Sequence, residues 1–257
     1  MGVETRFGLR GRTALVTGAS RGIGAALAAG LAEAGADVIA TGRSKARLAE
    51  TGKAVEAVGR KAHLVEADIR DTETVLSLFD RLDARGLTPD ILVNNAGTEE
   101  VSPSLSVTPE LWDRIVDTNL KGAFFAAQSF AQARISAGRG GSIINLGSLT
   151  SAVGVPTAAP YTASKSGLLG MTRALSAEWA AQGIRVNALG PGYFRTELTE
   201  VFYRDADWQS AMRARIPMGR FGALDDLVGA AVFLASDASA YMTGQILYLD
   251  GGYLASI

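Results

Sequence analysis

A glycine-rich run, T-G-A-S-R-G-I-G from Thr17 to Gly24, leaves this chain few folds to choose from. It follows a short apolar stretch, Thr13 to Thr17, and opens a small-residue, Ala-rich stretch, Gly22 to Ala34. The first reads as a buried strand and the second as a helix packed closely on a sheet. In that context Gly18 and Gly22 permit a tight turn and close approach to a pyrophosphate, and Gly24 lets the helix sit against the sheet. The N–H groups of the helix N-terminus then face the anion. Ser20, Arg21 and Ile23 complete the turn and are expected along the same ligand. Without the flanking strand and helix, such a run is often only a turn.

Strand and helix alternate along the rest of the chain. Strands are predicted at Asp37 to Thr41, Ala62 to Glu66, Asp90 to Asn94, Ser142 to Leu146, Arg185 to Leu189 and Ile246 to Leu249. Helices fall between them, at about Lys45 to Val58, Thr72 to Arg85, Glu110 to Ala137, Tyr161 to Ala181 and Leu224 to Ala235. This order predicts an α/β fold: one Rossmann-type, doubly wound domain over 1–257, with seven parallel strands, right-handed crossovers and helices on both faces. From 191 to 221 the pattern becomes irregular, with Tyr203, Trp208, Met212 and Met218 among polar residues. An excursion at the carboxyl end of a late strand is where a substrate lid is expected.

Composition removes several classes of function. A net charge of -1 gives no electrostatic reason to expect nucleic acid or an anionic membrane as a partner. The chain has no cysteine, hence no disulfide framework, thiolate metal site or redox switch, and redox chemistry must come from a cofactor. His63, the one histidine, lies beside a predicted strand and cannot build a metal site unaided, so it is read as structural and no metal is expected. The longest charge-free stretch, Gly140 to Ser164, contains Asn145, Pro156 and Pro160 and reads as strand and loop, not a membrane span. The charged start, with Glu4, Arg6, Arg10 and Arg12, does not resemble a signal peptide, so the expected location is cytoplasmic.

Two side chains carry the chemistry. In Y-T-A-S-K, Tyr161 and Lys165 are four residues apart and share one helix face, which puts an ammonium beside a phenol. An unperturbed tyrosine titrates near ~10, and bringing it to about 7 takes roughly 4 kcal/mol of preferential phenolate stabilisation. The same spacing also occurs on many solvated helix faces. At the tip of the second strand, Thr41-Gly42-Arg43-Ser44 lacks the carboxylate that binds a free ribose hydroxyl and offers Arg43 in its place. With Arg21 nearby, this favours NADP(H) over NAD, the alternative being that each arginine is a solvated surface charge. Asp68, beside Ile69 after the third strand, is either an acceptor for the adenine amino group or a helix cap.

Taken in order, T-G-A-S-R-G-I-G, N-N-A-G at 94–97, Asn119 in D-T-N-L-K-G, Ser148, Y-T-A-S-K and P-G-Y-F-R-T at 191–196 resemble the short-chain dehydrogenase/reductase family over nearly the whole chain. The resemblance implies Tyr161 as proton donor and acceptor, and Ser148 as the donor that polarises a substrate carbonyl, although Ser142, Thr150 and Ser151 lie close by. It implies Lys165 on the nicotinamide ribose, lowering the tyrosine pKa, and Asn119 positioning a water in a proton relay. Asn95, Ala96 and Gly97 would line the cofactor with Pro191, Gly192 and Phe194, and Thr196 would bind the carboxamide side. A homotetramer or homodimer acting on a small molecule is implied too.

P-G-Y-F-R-T-E-L, G-R-F-G and G-Q-I-L-Y-L-D-G-G-Y-L are similar to the gluconate 5-dehydrogenase branch, which points to a sugar, polyol or sugar acid. The alternatives are a 3-oxoacyl-carrier-protein reductase or other ketone reductase and, from another class, a catalytically silent NADP sensor. Where that branch usually has a basic pair after N-N-A-G, this chain has Thr98-Glu99-Glu100. Glu99 and Glu100 either repel acids at the pocket mouth or point to water. Tyr193, Phe194, Tyr203 and Trp208 either line the pocket or pack the lid.

Overall fold

The computed structural model describes residues 2–197, 199–200 and 202–256, with the backbone alone at Phe202. Positions 198 and 201 of the expected lid therefore lie outside the described residues. Seven strands form one parallel sheet in the order β3-β2-β1-β4-β5-β6-β7. They are β1 Thr13–Val16, β2 Asp37–Gly42, β3 Ala62–Glu66, β4 Ile91–Asn94, β5 Gly141–Leu146, β6 Ile184–Pro191 and β7 Ile246–Leu249. The helices are α1 Val3–Phe7, α2 Gly22–Glu33, α3 Lys45–Ala57, α4 Thr72–Asp83, α5 Pro109–Val116, α6 Gly122–Ser136, α7 Ala159–Trp179, α8 Ala206–Arg215 and α9 Val228–Ala235.

Alternation along the strands divides the core into two layers. Leu15, Ile39, Leu92 and Ile143 face Val75, Leu78 and Phe79 of α4 and Phe130 of α6. Their neighbours Ala14, Val16, Val38 and Val93 face Leu27 and Leu31 of α2 and Leu234 of α9. Each fully buried Leu or Ile contributes about 1.5–3 kcal/mol. Small residues set the layer spacing: a Cβ on Gly30 of α2 would lie 2.3 Å from Val228 Cγ1 of α9. Because β1 pairs with β2 on one side and β4 on the other, the strand order reverses there, and a crevice opens at the strands' carboxyl ends.

Three local features depart from the periodicity. The single helix expected at Glu110 to Ala137 is broken between α5 and α6 by a π-helical turn, Asp117–Lys121. One residue beyond the α-helical count rotates everything after it, and Gly122 then packs so closely that a Cβ there would meet the Ile69 carbonyl oxygen at 2.3 Å. The expected irregular segment contains α8, capped by Asp205, whose carboxylate accepts from the N–H groups of Asp207 and Trp208. Its polar exterior hides it from a search for apolar stripes. The last predicted helix begins as a 3-10 turn, Leu224–Leu227.

Candidate active site

The crevice is walled by the turn after β1, the ends of β2, β4 and β5, the start of α7 and the segment after β6. Gly18 and Gly22 have φ of 65° and 55°, a region that L side chains rarely enter. A Cβ on Gly18 would stand 2.8 Å from Ala96 Cα, and one on Gly24 would stand 2.3 Å from Asn95 Nδ2. Thr17 Oγ1 accepts from the N–H groups of Asn95 and Ala96, both at 3.0 Å, and Asn95 Nδ2 donates to the Thr17 carbonyl at 2.9 Å. The glycine turn and N-N-A-G thus brace one another. No side chain caps α2, whose N-terminus adjoins the cleft beside Ser20, Arg21 and Ile23.

At the β2–β3 end the cleft is basic. Arg43 is exposed on its wall and forms no ion pair among the described residues. Asp68 also lines it, but its carboxylate is held by Arg70 at 2.8 Å, and that hydrogen bond, reinforced by the charges of Arg70 and Arg43, keeps it below the usual carboxylate range. The helix-cap alternative for Asp68 fails, since Asp71 caps α4 by accepting from the Glu73 N–H at 3.1 Å. Arg21, expected near the same phosphate, instead pairs with Glu197 across the cleft mouth. Arg70 was missed; a basic residue directly after β3 was its one signal.

At the other end, Ser148 follows β5 and is 8% exposed, its Oγ accepting from the Thr150 N–H at 3.2 Å. Tyr161 stands in the first turn of α7, and the Ser148 side chain is near enough to its phenol to favour the phenolate. Lys165, one turn later and 4% exposed, donates from Nζ to the Leu146 carbonyl at 2.6 Å and lies 5.6 Å from the centre of the Tyr161 ring. The expectation that Lys165 lowers the tyrosine pKa is not met in the protein alone. Burial, and secondly the Glu99 carboxylate, push the phenol up, and the Ser148 side chain opposes them. The ammonium donates to a backbone carbonyl and lies over the ring, not beside the phenol oxygen.

Burial pulls Lys165 itself down from 10.5 to about 8, with Glu99 acting the other way. The unfolded chain keeps its proton up to the higher value, so the penalty for burying this ammonium is full below about 8 and disappears as pH rises to 10.5. At about 1.36 kcal/mol per unit the penalty is ~3 kcal/mol. Without added nucleotide, the melting temperature of wild type relative to Lys165→Met is expected to rise between pH 7 and 10.5; a flat difference would remove the assignment.

Asn119 lies inside the π turn, 1% exposed. Nδ2 donates to the Thr98 carbonyl at 2.9 Å and to Ser164 Oγ at 3.1 Å, while Oδ1 accepts from the Thr98 N–H at 2.7 Å. The side chain anchors the loop after β4 with both of its N–H donors, and Oδ1 keeps a second lone pair.

The two glutamates part company. Glu99 lines the cleft with Tyr161 and Lys165, whereas Glu100 is exposed and paired with Arg114. Pro191, Gly192, Phe194 and Thr196 line the cleft as well; Phe194 is 5% exposed. Tyr193, Tyr203 and Trp208 do not. They form an edge-to-face cluster, Tyr193 to Trp208 at 5.8 Å and Tyr203 to Trp208 at 5.3 Å, with Phe221 and Tyr253 against it. These three pack on one another outside the cleft, and burial pushes the Tyr203 phenol up to about 12. Among the described residues no helix is long and apolar enough to cross a membrane.

A family model described as enoyl-(acyl carrier protein) reductase matches residues 18–254. Gluconate 5-dehydrogenase of Gluconobacter oxydans (strain 621H) is 41% identical over 252 residues, 98% of each chain. The chain belongs to the short-chain dehydrogenase/reductase family of oxidoreductases. Within that family, a candidate short-chain alcohol dehydrogenase from Sinorhizobium meliloti 1021 superposes with a TM-score of 0.95 at 59% identity, covering 98% of this chain and 100% of the other. Gluconate 5-dehydrogenase from Burkholderia cenocepacia J2315, crystallised with NADP and tartrate, gives 0.96 at 40% identity over 100% of both chains.

Proposed function

We propose that this short-chain dehydrogenase/reductase transfers a hydride between NADP(H) and a secondary alcohol or ketone of the sugar, polyol or sugar-acid type. The observation that carries this reading is the pair of neighbouring hydroxyls, Ser148 and Tyr161, on the wall of a cleft that begins at an uncapped helix N-terminus. The residues present fit the nucleotide. Glycines at positive φ and the open end of α2 suit a pyrophosphate, and Arg43 is an unpaired cation where the adenosine ribose would lie. When bound, NADPH supplies the hydride.

The chain's own residues handle the oxygen. Hydride addition to a carbonyl carbon leaves charge on oxygen, and Ser148 Oγ and the Tyr161 phenol are two donors directed at that charge. Tyr161 gives its proton to the oxygen and recovers one from solvent; in the reverse direction its phenolate accepts the alcohol proton. Lys165 is fixed by the Leu146 carbonyl one helical turn below, and Asn119 holds the loop opposite. Positive charge near the phenol is what its raised pKa requires for turnover at neutral pH. The segment 191–221 serves as the substrate lid.

The same reading makes the protein a cytoplasmic homotetramer or homodimer. The edge strand β7, half-buried from Ile246 to Leu249, and Trp112, 42% exposed on α5, are apolar surfaces that a second copy would cover. NADPH oxidation measured over keto sugar acids, neutral ketoses, acyl thioesters and cyclic ketones tests the enzyme reading, with turnover of a sugar-like ketone expected. No oxidation with any of them would return the silent-sensor alternative, and turnover confined to thioesters the acyl-carrier one.

A further inference from the structure

Beside the reacting hydroxyls stands a carboxylate that the mechanism does not use. Glu99 lines the cleft and is close enough for its charge to act on both Tyr161 and Lys165. Its backbone is held on one side, where the Asn119 side chain takes the N–H and the carbonyl of Thr98, and the next side chain, Glu100, turns outward to an exposed pair with Arg114. The Glu99 carboxylate itself makes no hydrogen bond or ion pair with the described residues. Burial pushes its pKa up, with Lys165 opposing. An acceptor without a donor has its hydrogen-bonding capacity available to a ligand.

We propose that Glu99 is a specificity-determining residue that accepts a hydrogen bond from a hydroxyl next to the reacting carbon, making the substrate a neutral polyol or ketose and not a sugar acid. This rests on the oxidoreductase reading above. Among the described residues of the cleft wall, Arg21, Arg70 and Arg114 are each paired with a carboxylate, Arg43 lies at the far end beside Asp68, and Lys165, the one cation whose charge reaches Glu99, is tied to the Leu146 carbonyl. At about 6 Å and an effective dielectric near 20, the Glu99 charge disfavours a second carboxylate by about a hundredfold before salt screening and the opposing charge of Lys165. A hydroxyl donating to the same carboxylate is favoured by roughly ten- to a hundredfold.

The test uses the full chain with NADPH and three carbonyl sets: neutral three- to six-carbon ketoses, keto acids of matching length, and cyclohexanone. Specificity constants are compared as ratios within each protein, so partial misfolding of a variant cancels. Wild type is expected to prefer the best ketose over its keto acid by about tenfold or more. Glu99→Arg should move that ratio toward the acid by about a hundredfold, and Glu99→Leu should lower the ketose-to-cyclohexanone ratio by about tenfold. Wild-type preference for the keto acid, turnover of cyclohexanone but of no ketose, or ratios unmoved by Glu99→Arg overturns the proposal while leaving the oxidoreductase reading intact. No turnover of any carbonyl by wild type overturns both.

Discussion

Tyr161→Phe is expected to lower turnover of the preferred carbonyl by about 10²- to 10⁴-fold, the usual worth of a positioned general acid. NADPH affinity should be nearly unchanged, because the phenol oxygen faces Ser148 and the reacting oxygen, not the phosphates. The ring is retained, so its packing in the first turn of α7 and its contact with Lys165 persist. The discriminating measurement is single-turnover hydride transfer beside nucleotide titration. A variant that retains about a third or more of the wild-type rate, with chemistry limiting, would remove Tyr161 from the acid–base role. Ser148→Ala provides the companion measurement, since it removes the one contact that lowers the phenol's pKa.

Arg43→Ala should weaken NADPH by roughly ten- to a hundredfold and NADH far less, the difference being a charge-assisted hydrogen bond to one extra phosphate. The structure directs this prediction to Arg43 over its neighbours. Arg21 is engaged with Glu197 and Arg70 with Asp68, whereas Arg43 is exposed with no ion-pair partner among the described residues. Titration of both nucleotides against wild type and variant checks it. Equal losses for the two would place Arg43 away from the phosphate.

The dinucleotide turn, the seven strands and the shared helix face of Tyr161 and Lys165 are legible in the residues alone. Each depends on neighbours within one element or one tight turn: glycine at the positive φ of Gly18 and Gly22, a continuous apolar run through Ala14, Leu15 and Val16, and four-residue spacing on α7. What stayed hidden are contacts between loops distant in sequence. Glu99 and Glu100 are adjacent and chemically alike, yet the charge of one acts on Lys165 and the other pairs with Arg114 of α5, a difference set by elements distant in sequence. The same holds for Asp68, whose carboxylate is held by Arg70, and for Tyr203 and Trp208, which pack on one another outside the cleft.

Asn119 shows the division most clearly. Its motif marked it as part of the site, but a helical periodicity cannot report the single added residue of a π turn, which changes direction without changing polarity. Where that turn aims the side chain depends on Thr98 and Ser164, brought alongside by strand order and by the packing of α5 against α7. The sequence by itself determined which elements form and which groups could do acid–base chemistry, because local sterics and side-chain type decide both. Only the tertiary structure decided which arginine is left without an ion-pair partner among the described residues and which carboxylate lines the cleft, because charges are paired off through space and not along the chain.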